Sequence, residues 1–286
     1  MRILGCRHVT KAVFLLVSLG IFGCMSCSAP RNYISPDRPK FTGSYAPDVE
    51  TFNDTLKVVS FNIKFAEKIN QAISELKTQP QLRNADIILL QEMDESGTDS
   101  IASSLSYNYV YYPATVHPQS DRNFGNAILS KWPLHSHKKI LLPYEPVLGK
   151  TKRIAVSSYV AHPKNDLLVY SVHTATAVVS AEKRLSQADS ILNSISRQHP
   201  QMIIGGDFNT LFSQNVRDLE EVFLKNGFLR ASREAGPTVE KAFLNLTLDH
   251  IFVKGLELID SGTSETLASD HKPLWVLLRT VSDKNP

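Results

Sequence analysis

The chain has 286 residues, 42% of them hydrophobic and 21% charged, which supplies enough apolar mass for a large core. That composition excludes a wholly disordered chain and a polytopic membrane protein. The formal charge of +3 comes from the first residues. Without Arg2, Arg7 and Lys11, 28 basic side chains face 28 acidic ones, so bulk charge gives no reason to bind nucleic acid or anionic lipid.

In chain order, the first feature is an export signal. Arg2, Arg7 and Lys11 precede an apolar run of 12 residues, 12–23, too short to span a bilayer as a helix. Residues 1–23 therefore read as a lipoprotein-type signal peptide. The stretch Ile21-Phe22-Gly23-Cys24 is close to the pattern in which a small residue precedes a lipid-modified cysteine. Phe22 is larger than that pattern favours, which keeps Cys27 as the second lipidation candidate. Cleavage near Ser26 or Ala29 is the plain-secretion alternative. All three cysteines precede residue 28, so the rest of the chain can hold no internal disulfide and depends on its core. Residues 24–54, with Pro30, Pro36, Pro39 and Pro47, read as a lipid-anchored Pro/Ser-rich tether. The expectation is an exported bacterial lipoprotein, membrane-anchored and facing the periplasm or cell surface.

From residue 55 to 286 the patterns are those of one catalytic-size domain. Residues 56–63 read as a buried strand. Ile69, Ala72, Ile73 and Leu76 then fall on one helical face. Further strand patterns cover 86–91, 107–112, 126–130, 154–161 and 167–173, with His135 and His137 read as loop. A helix follows on the stripe Leu185, Ala188, Ile191, Leu192 and Ile195. Then come a strand at 202–204, a helix at 215–226 closed by Gly227, and strands at 248–253, 256–260 and 273–280. Many strands follow one another without helices, which argues against a purely parallel sheet. The fold class is α+β, with two packed sheets and helices outside.

Six polar clusters stand at the ends of these apolar runs: Ser60-Phe61-Asn62, Gln91-Glu92, Ser171-Val172-His173, Gly205-Gly206-Asp207-Phe208-Asn209, Leu248-Asp249-His250 and Ser269-Asp270-His271. Singly, each is explained by a strand exit, a turn or a solvated loop. Together they carry chemistry. Asp207 and Asn209 are two apart, so on an extended segment they share a face. A carboxylate beside an amide suits a hard cation or a water held next to a phosphate, and Glu92 adds an anionic ligand. No Cys–His cluster argues for zinc. Asp249 and His271 suit a carboxylate–imidazole pair that stabilises charge and moves protons.

In order and spacing, these six motifs resemble the endonuclease/exonuclease/phosphatase superfamily, which includes exonuclease III-like and deoxyribonuclease I-like nucleases, neutral sphingomyelinases and inositol polyphosphate 5-phosphatases. The resemblance covers residues from about 56 to 280. It implies a four-layer α/β/β/α sandwich with two packed mixed sheets and the site at one end of them. It also implies Mg²⁺, with Mn²⁺ as a substitute, held by Glu92 with Asn62 beside it and Asp270 reaching it through water. By the same resemblance Asp207 orients or deprotonates the attacking water, and Asn209 holds that water or a phosphate oxygen. Asp249 pairs with His271 at the phosphate, and His173 protonates the leaving oxygen. Arg153 and, more weakly, Asn126 are candidates for phosphate contacts, whereas His250 should point away from Asp249.

The resemblance fixes the bond type better than the substrate. Thr210 follows Asn209, and Leu-Thr-Leu-Asp-His-Ile-Phe surrounds Asp249, neither of which matches the 5-phosphatase branch. The leading expectation is a metal-dependent phosphoesterase hydrolysing a phosphodiester, nuclease-like first. A lipid phosphodiesterase of sphingomyelinase type or a phosphomonoesterase is second, and a catalytically silent phosphate-ester-binding surface lipoprotein is the non-enzyme alternative. The expected partners are a phosphate-ester substrate (nucleic acid or lipid head group) and, through the lipid anchor, the membrane. The protein is expected to be a monomer.

Overall fold

The computed structural model describes residues 31–47, 54–118, 120–146, 150–176, 178–195, 199–241 and 244–280. The leader and the candidate lipidation residues Cys24 and Cys27 lie outside them. No helix among the described residues is long and apolar enough to cross a membrane.

The first elements among the described residues are β1 (Arg31–Asn32), β2 (Phe41–Ser44), β3 (Thr55–Asn62), α1 (Ile69–Thr78), β4 (Ile87–Met93) and α2 (Glu95–Leu105). It continues through β5 (Asn108–Val116), β6 (Asn123–Ser130), β7 (Leu134–Leu141), β8 (Ile154–Val160), β9 (Leu167–His173) and α3 (Ala181–Asn193). Next are β10 (Met202–Asp207), α4 (Ser213–Lys225), β11 (Leu229–Arg230), β12 (Val239–Lys241) and β13 (Leu244–Leu246). The last elements are β14 (Asp249–Lys254), β15 (Leu256–Thr263) and β16 (Leu274–Thr280). One sheet runs β1-β5-β6-β4-β3-β16-β15 with β2 also on β5, and the other runs β11-β14-β10-β9-β8-β7. Both mix parallel pairs, β3 with β4 and β9 with β10, with antiparallel ones.

Strand parity builds the four layers. In β3, Val58 faces the opposite sheet while Val59 and Phe61 face α1 and α2. In β10, Ile203 points inward, while Met202 and Ile204 pack under α3 and α4. The inner layer is an aliphatic core from both sheets, with Leu56, Leu89, Val156, Val169, Ile251 and Val276 fully or almost fully buried. The outer layers seat the apolar stripes of the helices, such as Ala72 and Leu76 of α1 and Leu219 and Phe223 of α4. The α/β/β/α sandwich is thus the consequence of two sheets that are apolar on both faces.

Toward one end the inner layer turns polar. Gln91 Nε2 donates to Ser171 Oγ at 3.0 Å across the sheets, and Asn126 Nδ2 donates to Ile154 O and Ser171 O at 3.0 and 3.2 Å. These bonds satisfy buried groups and tie the two sheets together near the strand ends. Asn126 is therefore a clamp between sheets, with its amide protons already engaged, and not a free phosphate donor.

Three segments differ from the sequence reading. Residues 31–47 of the expected tether lie on the domain: β1 and β2 extend the sheet edge along β5, and the buried Lys139 donates to Tyr33 O and Arg38 O, each at 3.0 Å. His135 and His137 sit on the edge strand β7, where one exposed face hides the usual alternation. The helix α2 is small and polar in sequence, yet Asp94 caps it by accepting from Gly97 N at 2.7 Å, and Ile101 and Ala102 anchor it to the sheet.

His250, opposite in parity to Asp249, is fully buried in the outer layer beside Phe208 and Phe252, with Nε2 2.7 Å from Thr210 Oγ1. Burial, and then the nearby Arg230 charge, push its pKa down to about 3. The unfolded chain thus takes up this proton between pH 6.5 and about 3 while the folded chain does not. Stability should fall with acidification in that window by about 1.4 kcal/mol per pH unit from this site. Urea unfolding from pH 7 to 4 checks this. His250→Gln, which keeps a partner for Thr210, should flatten the slope by one proton, and an unchanged slope contradicts the assignment.

Candidate active site

The strand parity that fills the core also aims the polar residues. Asn62 follows Val58 and Ser60 on the inner face of β3, His173 follows Val169 and Ser171 on β9, and Asp207 follows Ile203 and Gly205 on β10. Asp249 precedes Ile251 and Val253 on β14. In the second sheet, Asp207 is paired in register with His173 on one side and Asp249 on the other. Gly206 makes this possible: its φ is +145°, and a Cβ there would lie 1.9 Å from Val172 O.

Asp207 is the hub. Its Oδ2 accepts from Asn62 Nδ2 at 3.0 Å, which bridges the two sheets, and its Oδ1 accepts from Asn209 N at 2.8 Å. His173 Nε2 lies 3.6 Å and His271 Nε2 3.9 Å from Oδ2. Asn209, at φ 53°, turns its amide so that Nδ2 donates to Thr174 O at 3.2 Å. Glu92 leaves the strand parity of β4 at φ 59° and accepts from Phe65 N at 3.1 Å, Phe65 itself being at φ 55°. Three non-glycine residues in the left-handed region within one site amount to strain held by its surroundings, as is common where function fixes geometry.

The electrostatics separate the roles. Burial first, then the Asp249 charge, push the Asp207 pKa up to about 7, against the opposing pull of His271 and the Asn209 amide. A carboxylate in that range can accept a proton from water near neutral pH. His271 Nδ1 lies 2.8 Å from Asp249 Oδ2. Burial works against its charge, but the charge and hydrogen bond of Asp249, with Asp207 and Asp270, outweigh it and raise the pKa to about 10. His271 is thus a cation facing Asp207. His173 is the reverse: burial, then Arg153, then His271 hold it neutral, well below the ordinary value. A neutral imidazole here can donate a hydrogen bond into the site.

Every other candidate is placed. Arg153, just before β8, is buried over the Phe124 ring, its guanidinium carbon 5.0 Å from the centroid, and its charge acts on both Glu92 and Asp207. Its Nε has no hydrogen-bond partner among the described residues, which leaves a donor for a phosphate oxygen. Asp270 is half-buried beside His271, where its carboxylate supports the imidazolium. Sequence reasoning missed the Lys64–Ala66 turn that supplies Phe65 N to Glu92, and the ring cluster of Phe65, His117 and Phe124 next to His173. No spacing rule points to either, because the rings meet only through tertiary packing.

The donor set fits a hard divalent cation. One ligand atom each from Asp207, Asp249 and His271 lie within 4.8 Å of one another, and Asp249 Oδ1 is buried without a hydrogen-bond partner among the described residues. Glu92 and Asn62 face the same space, all oxygen donors apart from the imidazoles. His271, held as an imidazolium by Asp249, has no lone pair for the ion, so a cation here would be held by carboxylate oxygens of Asp207, Asp249 and Glu92 with the Asn62 amide beside them and Asp270 outside the group.

Residues 59–271 match the Endonuclease/Exonuclease/phosphatase family, and the chain belongs to it. Members of this family are phosphoric ester hydrolases that use divalent metals. A UPF0294 protein of Yersinia enterocolitica is 27% identical over 252 residues, 86% of this chain and 93% of that one. The chain spans about half the length of the curated UPF0294 relatives it matches in two other Yersinia species. Among solved structures, D. rerio TDP2 complexed with a single-strand DNA product is similar at TM-score 0.64 and 16% identity, covering 80% of this chain and all of that one. The Bacteroides thetaiotaomicron mannosyl-6-phosphatase is similar at TM-score 0.60 and 16% identity, covering 78% and 99%. At such identities the likeness to these structures is one of fold.

If Asp207 accepts the proton and His271 carries the charge, either residue should be dispensable for folding and indispensable for rate. Asp207→Ala and His271→Ala are each expected to lower kcat by about two orders of magnitude or more on any phosphoester substrate, with an unchanged circular dichroism spectrum. Near-native turnover in a folded variant contradicts the assignment.

Proposed function

We propose that the protein is a Mg²⁺-dependent phosphodiesterase whose preferred substrate is a nucleic-acid strand. The observation that carries this reading is Asp207, held at both oxygens by Asn62 and Asn209 N and faced by the His271 cation. Asp207 takes the proton of a water aligned with the phosphorus; the water oxygen bonds to phosphorus as the P–O bond to the leaving group breaks, and the departing oxygen takes its proton from solvent. His271, fixed in tautomer by Asp249, and Arg153 stabilise the negative charge that develops on the phosphate oxygens. His173 donates a hydrogen bond from Nε2 without giving up a proton. A divalent cation bound among Glu92, Asn62 and the Asp207 group would neutralise charge on the phosphate.

Two observations favour a nucleotide substrate. The half-buried rings of Phe65 and His117, packed on the buried Phe124 beside His173 with centroids 4.5–5.8 Å apart, offer an edge on which a base can stack. TDP2, with its single-strand DNA product, also shares the fold. The leader, with Cys24 or Cys27 as the lipidation site, supports an exported, membrane-anchored protein acting outside the cytoplasm, and the form proposed is a monomer.

The test is a panel of single-stranded DNA, RNA, sphingomyelin, a sugar phosphate and an aryl phosphodiester, with and without Mg²⁺. The expected result is oligonucleotide cleavage that EDTA abolishes and added Mg²⁺ or Mn²⁺ restores. Cleavage of sphingomyelin or the sugar phosphate alone moves the activity to a lipid diesterase or a monoesterase. Tight binding of a phosphate ester without turnover makes the protein a binding lipoprotein.

A further inference from the structure

Arg153 stands in the site with no hydrogen-bond partner for its Nε among the described residues. Its guanidinium lies over the Phe124 ring, and its charge acts on Glu92 and Asp207. Where that charge stands therefore depends on the ring beneath it and on the backbone that carries it. A misplacement of about 1 Å in such a group can cost about 100-fold in rate.

On the side that enters β8, the sheets hold the backbone. Leu142 N donates to Arg153 O at 3.0 Å, and Asn126 Nδ2 donates to Ile154 O at 3.0 Å. On the other side, residues 150–152 lie outside any strand, and Lys150 is at φ 43°, in the left-handed region. The hold on that side comes from β1. Asn32 Nδ2 donates to Lys150 O, and Asn32 Oδ1 accepts from Lys152 N, each at 2.9 Å. One side-chain amide thus takes both a carbonyl and an N–H of the segment, as a neighbouring strand would.

Asn32 is itself on firm ground. It pairs with Thr115 of β5, and Thr115 pairs with Phe124 of β6. The residue that grips the backbone before Arg153 and the ring that seats the guanidinium therefore belong to one sheet, two strands apart. Tyr33 N donates to Ala114 O at 2.9 Å, Tyr33 Oη donates to Asn123 Oδ1 at 2.8 Å, and Arg31 pairs with Asp121. The buried Lys139 donates to Tyr33 O at 3.0 Å. Arg153 leads into the second sheet, so Asn32 ties the two sheets at their edge as Asn126 does inside.

We propose that Asn32 is a positioning residue: β1 clips residues 150–152 to the first sheet and so sets where the Arg153 charge stands. On the phosphodiesterase reading, which this deepens, β1 is part of the catalytic assembly although it lies outside the family-matched residues 59–271. Asn32 acts only through Arg153.

The test is a double-mutant cycle. Asn32→Ala should lower kcat about ten-fold on the best phosphoester substrate and change KM by less than about two-fold, because Arg153 acts on charge that develops after binding. In an Arg153→Met background, or Arg153→Gln if the first does not fold, Asn32→Ala should cost less than about two-fold. Tyr33→Phe, which loosens β1 without touching residues 150–152, should leave kcat within about two-fold. A loss of equal size with Arg153 present and absent, or an equal loss in Tyr33→Phe, overturns the proposal. The second readout needs no substrate: the arginine Nε–H resonance that disappears in the Arg153 variant. In Asn32→Ala this resonance should shift and exchange with solvent about ten-fold faster. If it does so while no phosphoester is turned over, the clip stands and the phosphodiesterase reading falls. An unmoved resonance overturns the clip whatever the activity.

Discussion

The active site depends on two separate sheets ending at the same level, and buried polar contacts between them set that level. Gln91 with Ser171, and Asn126 with the carbonyls of Ile154 and Ser171, span the inner layer just before the strands end. Beyond these ties, Asn62 of one sheet meets Asp207 of the other at 3.0 Å. Below them the contact is aliphatic. At the tied end, a slip of one residue in any strand would turn its functional side chain into an outer layer, as parity already does to His250. The geometry of catalysis is therefore inherited from core packing and register more than from the loops.

The site works by giving neighbouring groups opposite proton affinities. Asp207 and His271 both sit in the buried end of the inner layer, yet burial and then Asp249 raise one toward neutrality, while Asp249, against burial, holds the other as a cation. His173 faces the same carboxylate and stays neutral, because burial and then the charges of Arg153 and His271 outweigh it. A base, a cation and a neutral donor within one small volume is the arrangement that phosphoryl transfer to water requires. The same crowding of acidic oxygens makes the site receptive to a divalent cation.

Much of this was legible in the sequence, and the exceptions have physical reasons. The apolar runs ending in Asn62, Glu92, His173 and Asp207 mark strands whose ends meet, and parity predicts the opposite aims of Asp249 and His250. The ordered motifs predict the four layers. The role of Asn126 as a clamp was not visible, because a polar residue in an apolar run looks the same whether it meets substrate or a facing carbonyl. The neutrality of His173 depends on burial and on Arg153, which is distant in sequence. Residues 31–47 look like a tether because their composition is rich in proline and polar groups, and only the open edge of β5 and Lys139 give them a place on the domain.

The most direct measurement is the anomalous diffraction of Mn²⁺ in crystals of the protein. The account predicts a peak within coordination distance of Asp207 or Glu92 at the joined sheet ends, and its loss in Asp207→Ala. A peak only at other carboxylates, or an undiminished one in the variant, would contradict the central claim that the two sheets assemble a cation-dependent phosphoesterase centre.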